Sequence, residues 1–165
     1  ITRLTEGFEF LGHRVRMRWD ARYGWTPRLE IPKRKQADLR HAVKQLTGRS
    51  SLTLPLHELL KNVNPVLRGW AHFYRHCTNA KPILAHLDWY VGDRVWRWMR
   101  KKRPNARVAE LERLRQQTSR PGSRRIVWQQ HGVEQFIMSS LSVMRYQRGW
   151  MRTPDFAVIP GEPSA

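Results

Sequence analysis

Between His57 and Arg75, six polar side chains recur at steps of three and four: His57, Lys61, Asn64, Arg68, His72 and Arg75. On a helix that spacing lines them up along one side. The result is a basic stripe without a carboxylate. The one acid of the segment, Glu58, stands near its start, where a helix dipole favours negative charge. Guanidinium, ammonium and imidazole donors in such a row suit anions, and phosphate first among them. Arginine can also grip phosphate with two parallel bonds and stack on bases. The opposite side carries Leu56, Leu59, Leu60, Val63, Leu67, Trp70, Tyr74 and Cys77 at the same steps. One helix therefore has a face for a core and a face for something anionic.

Other chemistries find no support. Two-metal phosphoryl transfer needs paired carboxylates, but the aspartates are scattered at 20, 38, 88, 93 and 155. One cysteine and seven dispersed histidines exclude a multi-cysteine zinc site and an HNH-type nuclease in its metal-bound form. His72 and His76 lie four apart with Cys77 beside them, a spacing that could start a metal site. No third ligand shares their face, so they read as donors toward phosphate or solvent. There is no P-loop and no GxSxG. The chain is expected to bind, not to catalyse, and to need no cofactor.

Composition agrees. The chain has 165 residues, with 31 Lys and Arg against 13 Asp and Glu, for a formal charge of +18. Too few acids are present to neutralise it, so polyanion binding is expected, nucleic acid before anionic membrane. A 40% hydrophobic content with eight Trp is enough for a core. Most of those Trp, Trp70 included, lie on apolar faces; only one or two, Trp25 or Trp128, are expected to touch nucleic acid. Cys77 reads as a small buried hydrophobe. No apolar run is long enough to span a membrane. The first residues show no signal-peptide layout, and the lack of an initiator Met suggests a piece of a longer protein.

The elements that must position these residues follow from periodicity and punctuation. Residues 7–31 read as a β-hairpin, with a turn at Asp20 to Gly24. Pro32 opens a helix with Leu39, Ala42, Val43 and Leu46 inside, begun by Lys33, Arg34 and Lys35 and stopped at Gly48. Cations are unfavourable at that end of a helix, so a phosphate partner explains them better than local stability. Ser51 or Thr53 is expected to cap the central helix. Pro65 should kink or break it near Val63 to Asn64. Gly69 would allow close helix packing or a kink. After a loop at Asn79 to Pro82, a third helix runs from Ile83 to Arg100. Leu84, Leu87, Val91, Val95 and Trp98 form its inner face, widened by Trp89, Tyr90, Trp96 and Met99. Arg97, Arg100, Lys101, Lys102 and Arg103 crowd its end, and Pro104 stops it. Beyond that come a short helix around Val108, Leu111 and Leu114, a strand or arm at Arg124 to Trp128, and a frayed end. The expected fold is mainly α: an N-terminal hairpin, about three helices, then a less regular tail.

Asn64-Pro65-Val66-Leu67-Arg68-Gly69-Trp70-Ala71-His72-Phe73-Tyr74 resembles the NP-x-LRGW-x-x-Y signature of the group II intron maturase-specific domain, the X or thumb domain of intron-encoded reverse transcriptases. Two flanking segments agree. Gly7-Phe8-Glu9-Phe10-Leu11-Gly12 is similar to the FxFLG segment that ends the polymerase palm. Leu87-Asp88 followed by Val95-Trp96-Arg97-Trp98 resembles the family's LD…LWRW pattern. Trp150 to Phe156 is similar to a W-x-x-x-PDF ending. Lys33 replaces the Ser of the family's I-x-P-S-K-K start. The likeness covers residues 6–103 well and the remainder more loosely.

The resemblance implies three parts: the palm's end over 1–32, the thumb over 33–103, and a tail over 104–165 in the place of a DNA-binding region. It implies intron RNA, template–primer duplex and target DNA as partners, in a bacterial cytoplasm near the nucleoid. Phosphate contacts are expected from Lys33, Arg34, Lys35, Lys61, Arg68, His72, Arg75, Arg97, Arg100 and Lys101. Phe10, Leu11 and Gly12 take the primer-grip place, and Asn64, Pro65, Gly69 and Trp70 the structural motif. The YADD-type aspartates and their Mg2+ would belong to the parent polymerase. Competing readings are a polymerase thumb with no splicing role, a generic basic DNA- or RNA-binding module, and an inactive intron remnant.

Overall fold

Leu11 and Gly12 both have positive φ, 47° and 79°. Two such residues in a row make the tight turn that matches the twist of antiparallel strands. The turn joins β1 (Phe8–Phe10) to β2 (His13–Asp20), and β3 (Gly24–Glu30) returns alongside β2. The expected hairpin is thus present as β2–β3, with β1 as a third strand. A computed structural model describes residues 6–22, 24–120 and 125–143. Alternation along β2 puts Val15, Met17 and Trp19 on one face and Arg14, Arg16 and Arg18 on the other. Arg16–Glu30 and Arg28–Asp20, both at 2.9 Å, tie the arginine face across the strands.

Three helices follow: α1 (Lys33–Leu46), α2 (Leu56–Tyr74) and α3 (Ala80–Lys102). Long-range bonds fix their directions. Tyr90 donates to the Arg40 carbonyl, and Arg94 reaches Thr47 and the Lys44 carbonyl at the end of α1, so α1 and α3 run parallel. Tyr74, at the end of α2, meets Gly12 beside the start of α1, so α2 runs the other way. Arg94 also supplies positive charge where the carbonyls of α1 end. Leu39, Val43, Leu59, Leu60, Val63, Leu67, Leu84, Leu87, Val91, Val95 and Trp98 are all buried in one core. Cys77 lies in it too, and burial pushes its thiol up to about 12.

Three expectations need correction. Helix α2 continues unbroken through Pro65. The missing N–H frees only the carbonyl of Lys61, and Lys61 is exposed, so water can take it. Helix α3 begins at Ala80, not Ile83, because Pro82 in a first turn has no bond to lose. Neither Ser51 nor Thr53 caps α2, which starts after Pro55 without a side-chain cap. Ser51 sits instead in the 3-10 turn Arg49–Thr53, buried, and accepts the indole N–H of Trp98 at 2.9 Å.

Past Arg103 the chain forms α4 (Val108–Glu112) and a second antiparallel sheet of β4 (Arg115–Gln117), β5 (Ile126–Gln130) and β6 (Val133–Glu134). A 3-10 turn, Met138–Ser140, follows. Leu111, Trp128, Phe136 and Met138 enter the same core as the helices. Three polar side chains fasten this segment, one of them Lys81, which donates to the Ser139 carbonyl at 2.7 Å. Asn64 on α2 donates to the Glu134 carbonyl at 2.7 Å and accepts the Phe136 N–H at 2.8 Å. Buried Asp88 on α3 accepts the N–H groups of Met138 and Ser139 at 2.7 and 2.9 Å, and the Ser139 hydroxyl as well. Burial pushes the Asp88 carboxyl above its usual range, against the opposing pull of those donors and of Arg125 at 3.5 Å. The W-x-x-x-PDF stretch lies outside the described residues.

Replacing Asn64 with Ala should therefore lower stability by about 1–3 kcal/mol, the cost of orphaning two backbone groups. Thermal unfolding reads this directly; an unchanged melting temperature would mean that the segment is held by other contacts.

Candidate nucleic-acid interface

The turn between β1 and β2 meets the bundle at the end of α2. The Tyr74 hydroxyl donates to the Gly12 carbonyl at 3.1 Å. The His13 ring lies 4.8 Å from Phe73 and 5.2 Å from Tyr74. Burial raises the Tyr74 pKa further above the physiological range, so the phenol remains a donor. The Lys35 side chain, from the first turn of α1, reaches the same Gly12. Phe10 and Leu11 project outward, 60% and 76% exposed. One end of the molecule thus gathers Phe10, Leu11 and Gly12, then Lys33, Arg34 and Lys35, with His72 and Arg75 in the last turn of α2 and just beyond. Cations suit the end of α2 but not the start of α1, whose first turn holds no acid.

The remaining predicted cations lie elsewhere. Arg97, Arg100 and Lys101 stand at the end of α3, beside the end of α1, so the length of α1, about 20 Å, separates them from the first group. Lys61 is near the start of α2. Arg68 lies between the two ends, with its guanidinium 5.4 Å from the Phe136 ring centre. Local acids answer some of these charges: Lys61 pairs with Glu58 at 2.8 Å and Arg97 with Asp93 at 3.0 Å. Arg34–Glu9 and Lys35–Asp38 are looser, both at 3.7 Å. Lys33, Arg68, His72, Arg75, Arg100 and Lys101 have no ion pair among the described residues. The five Lys and Arg among them are cations left for an outside anion, and His72 is an exposed imidazole beside them.

Several site expectations change. The polar side of α2 is not a free stripe. Asn64 is spent on the C-terminal segment, and the His57 N–H donates to Gln130 while its ring packs on His131. Lys61 stays exposed but is paired with Glu58, and Arg68 and His72 are exposed without an acid. Trp128 is 3% exposed and packs on Trp96, so it cannot stack on RNA. Trp25 is exposed as expected, edge-on to an equally exposed Trp19 that the sequence did not single out. Trp70 is only half-buried, against Tyr74 at the margin of the core, rather than inside it. Trp89 does not widen the inner face of α3 but projects into solvent. A side chain at Gly69 would meet nothing, so close helix packing is not its reason. Asp88 was missed as an anchor. Its signal was present: an acid at helical spacing from Leu84 and Val91, inside an apolar stripe.

No group of three or more metal-ligating side chains occurs among the described residues. No helix there is long and apolar enough to cross a membrane. In comparison with known proteins, the family model of the group II intron, maturase-specific domain matches residues 36–120, more than half of the chain. No curated protein matches it.

The Tyr74 hydroxyl makes the hydrogen bond between the β1–β2 tip and the end of α2, so Tyr74→Phe should cost about 1 kcal/mol. A melting temperature lower by a few degrees is expected; no shift would mean that the aromatic stacking alone holds the tip.

Proposed function

The chain belongs to the group II intron maturase-specific domain family, and from that premise we propose that it binds folded intron RNA through a track of cations on the helices. The observation that carries this reading is the set of charges without acidic partners among the described residues: Lys33, Arg68, Arg100 and Lys101, all exposed, and half-buried Arg75, with the exposed imidazole of His72 beside them. On a chain of formal charge +18, such a set is costly to keep unless a polyanion neutralises it. Two groups about 20 Å apart can each hold phosphates of one folded RNA while Arg68 bridges between them. Holding several strands at once stabilises the RNA's folded state over its unfolded one by simple mass action. That is a physical route to assisting splicing.

The tip with Phe10, Leu11 and Gly12 supports a second duty of the same protein. Its exposed side chains and the adjoining Lys33, Arg34 and Lys35 suit a template–primer end, with Lys61, Arg97 and Lys101 as further phosphate contacts. In this reading a parent polymerase supplies the aspartates and Mg2+, and the segment after Pro104 meets target DNA. The protein works in the bacterial cytoplasm, close to the nucleoid.

The double substitution Arg68→Ala with Arg75→Ala tests the track. Each lost phosphate contact should lower the slope of log affinity against log salt by about 0.7–0.9. Affinity for structured RNA should fall accordingly at low salt, while thermal unfolding changes little. An unaltered salt slope would remove these two residues from the interface.

A further inference from the structure

A groove of about 730 Å3 lies between α3 and the second sheet, away from the cation track. Trp89, 69% exposed, forms one wall. Trp96 stands two helical turns further along the same face, about 10.5 Å along the axis, with Trp128 packed behind it at 5.9 Å. Gly92 lies between them. Glycine inside a helix weakens it by about 1 kcal/mol, and usually a close neighbour explains it. Here a side chain at Gly92 would meet nothing within 4 Å. The absent side chain instead keeps open the gap between two indoles, and the Gly92 carbonyl accepts the Trp128 indole N–H at 3.3 Å.

The edges of the groove are polar and of mixed sign. Glu112 has no ion pair among the described residues, and Arg115 lies over Trp128 at 5.7 Å. Asp93 lines it as well, paired outward to Arg97. With Asp88, Asp93 and Glu112 beside Arg115 and Arg125 in its lining, the groove suits a bare phosphate less well than the cation track does. A neutral planar ring with amino groups on its edge suits it better: indole faces stack on it, and the carboxylates accept from its N–H donors. Arg97 and Arg115 at the margins suit the phosphates on either side of such a ring.

We propose that this groove takes one unpaired base of the bound RNA, stacked on the exposed indole of Trp89 and seated over Gly92 toward Trp96. The inference rests on the RNA-binding reading above and adds to it a place where a bulged nucleotide is held. It gives the protein a means of choosing among folded RNAs that phosphate contacts lack, since every duplex offers phosphates.

The test compares two RNA hairpins of equal length and charge, one fully paired and one with a single bulged 2-aminopurine. The wild type should bind the bulged hairpin roughly tenfold more tightly, the scale of one base–aromatic stack, and should quench its fluorescence. Gly92→Leu puts a side chain into the groove at a point where a Cβ meets nothing within 4 Å, and it favours the helix, so it should fold and still bind the paired hairpin. Preference and quenching should both disappear in it. Trp89→Ala should reduce both. If the wild type binds both hairpins equally, or if Gly92→Leu keeps the preference, the groove is not a base site and fits a protein segment better. If the wild type binds neither RNA, the failure lies with the RNA-binding reading itself.

Discussion

The backbone of residues 134–139 crosses the helices without a strand partner for most of its length, and buried N–H and C=O groups must be paired. Asn64 and Asp88 meet that requirement from two different helices. Everything else in the C-terminal half depends on it. With these groups satisfied, Phe136 and Met138 can sink into the core, Trp128 can pack on Trp96, and the second sheet can stand beside α3. The same contacts take over the first half of α2's polar side. They therefore decide which of its cations remain open to an outside partner.

What remains open is an electrostatic surplus that the fold does not resolve internally. Lysines and arginines near acids are answered by Glu58, Asp93, Glu9 and Asp38. Lys33 and Arg75 at the hairpin end, Arg68, and Arg100 and Lys101 at the end of α3 have no such partner among the described residues. Repulsion among them destabilises the compact state slightly and would be relieved by a polyanion. Aromatic side chains are distributed differently. Trp98 and Trp128 are core, Trp70 marks its edge, and Trp19, Trp25 and Trp89 face solvent. The molecule thus separates a surface for charge from surfaces for planar rings.

The helices were legible because their apolar residues recur at steps of three and four, and the stripes on α2 and α3 are the ones found buried. Breakpoints were less legible. A proline was read as a disruption at Pro65 and Pro82, but its effect depends on whether the lost bond existed and whether water can reach the freed carbonyl. The tail was hardest. Its strands are two to five residues long, below the length at which alternation can be seen. Trp128 was misjudged for that reason. Asn64 looked like one more polar residue on an exposed stripe, because nothing in its own helix announces the long-range backbone it serves. Charge, by contrast, could be counted from the sequence, while its pairing could not.

The most direct test of the central claim is a salt-titrated affinity of this protein for a group II intron RNA against an unrelated structured RNA of equal length. The account predicts a preference of about tenfold or more, roughly 1.4 kcal/mol, that persists as salt rises, because shape and base contacts are screened less than phosphate contacts. Equal affinities that collapse together with salt would contradict it and leave only a basic surface that holds phosphates of any RNA.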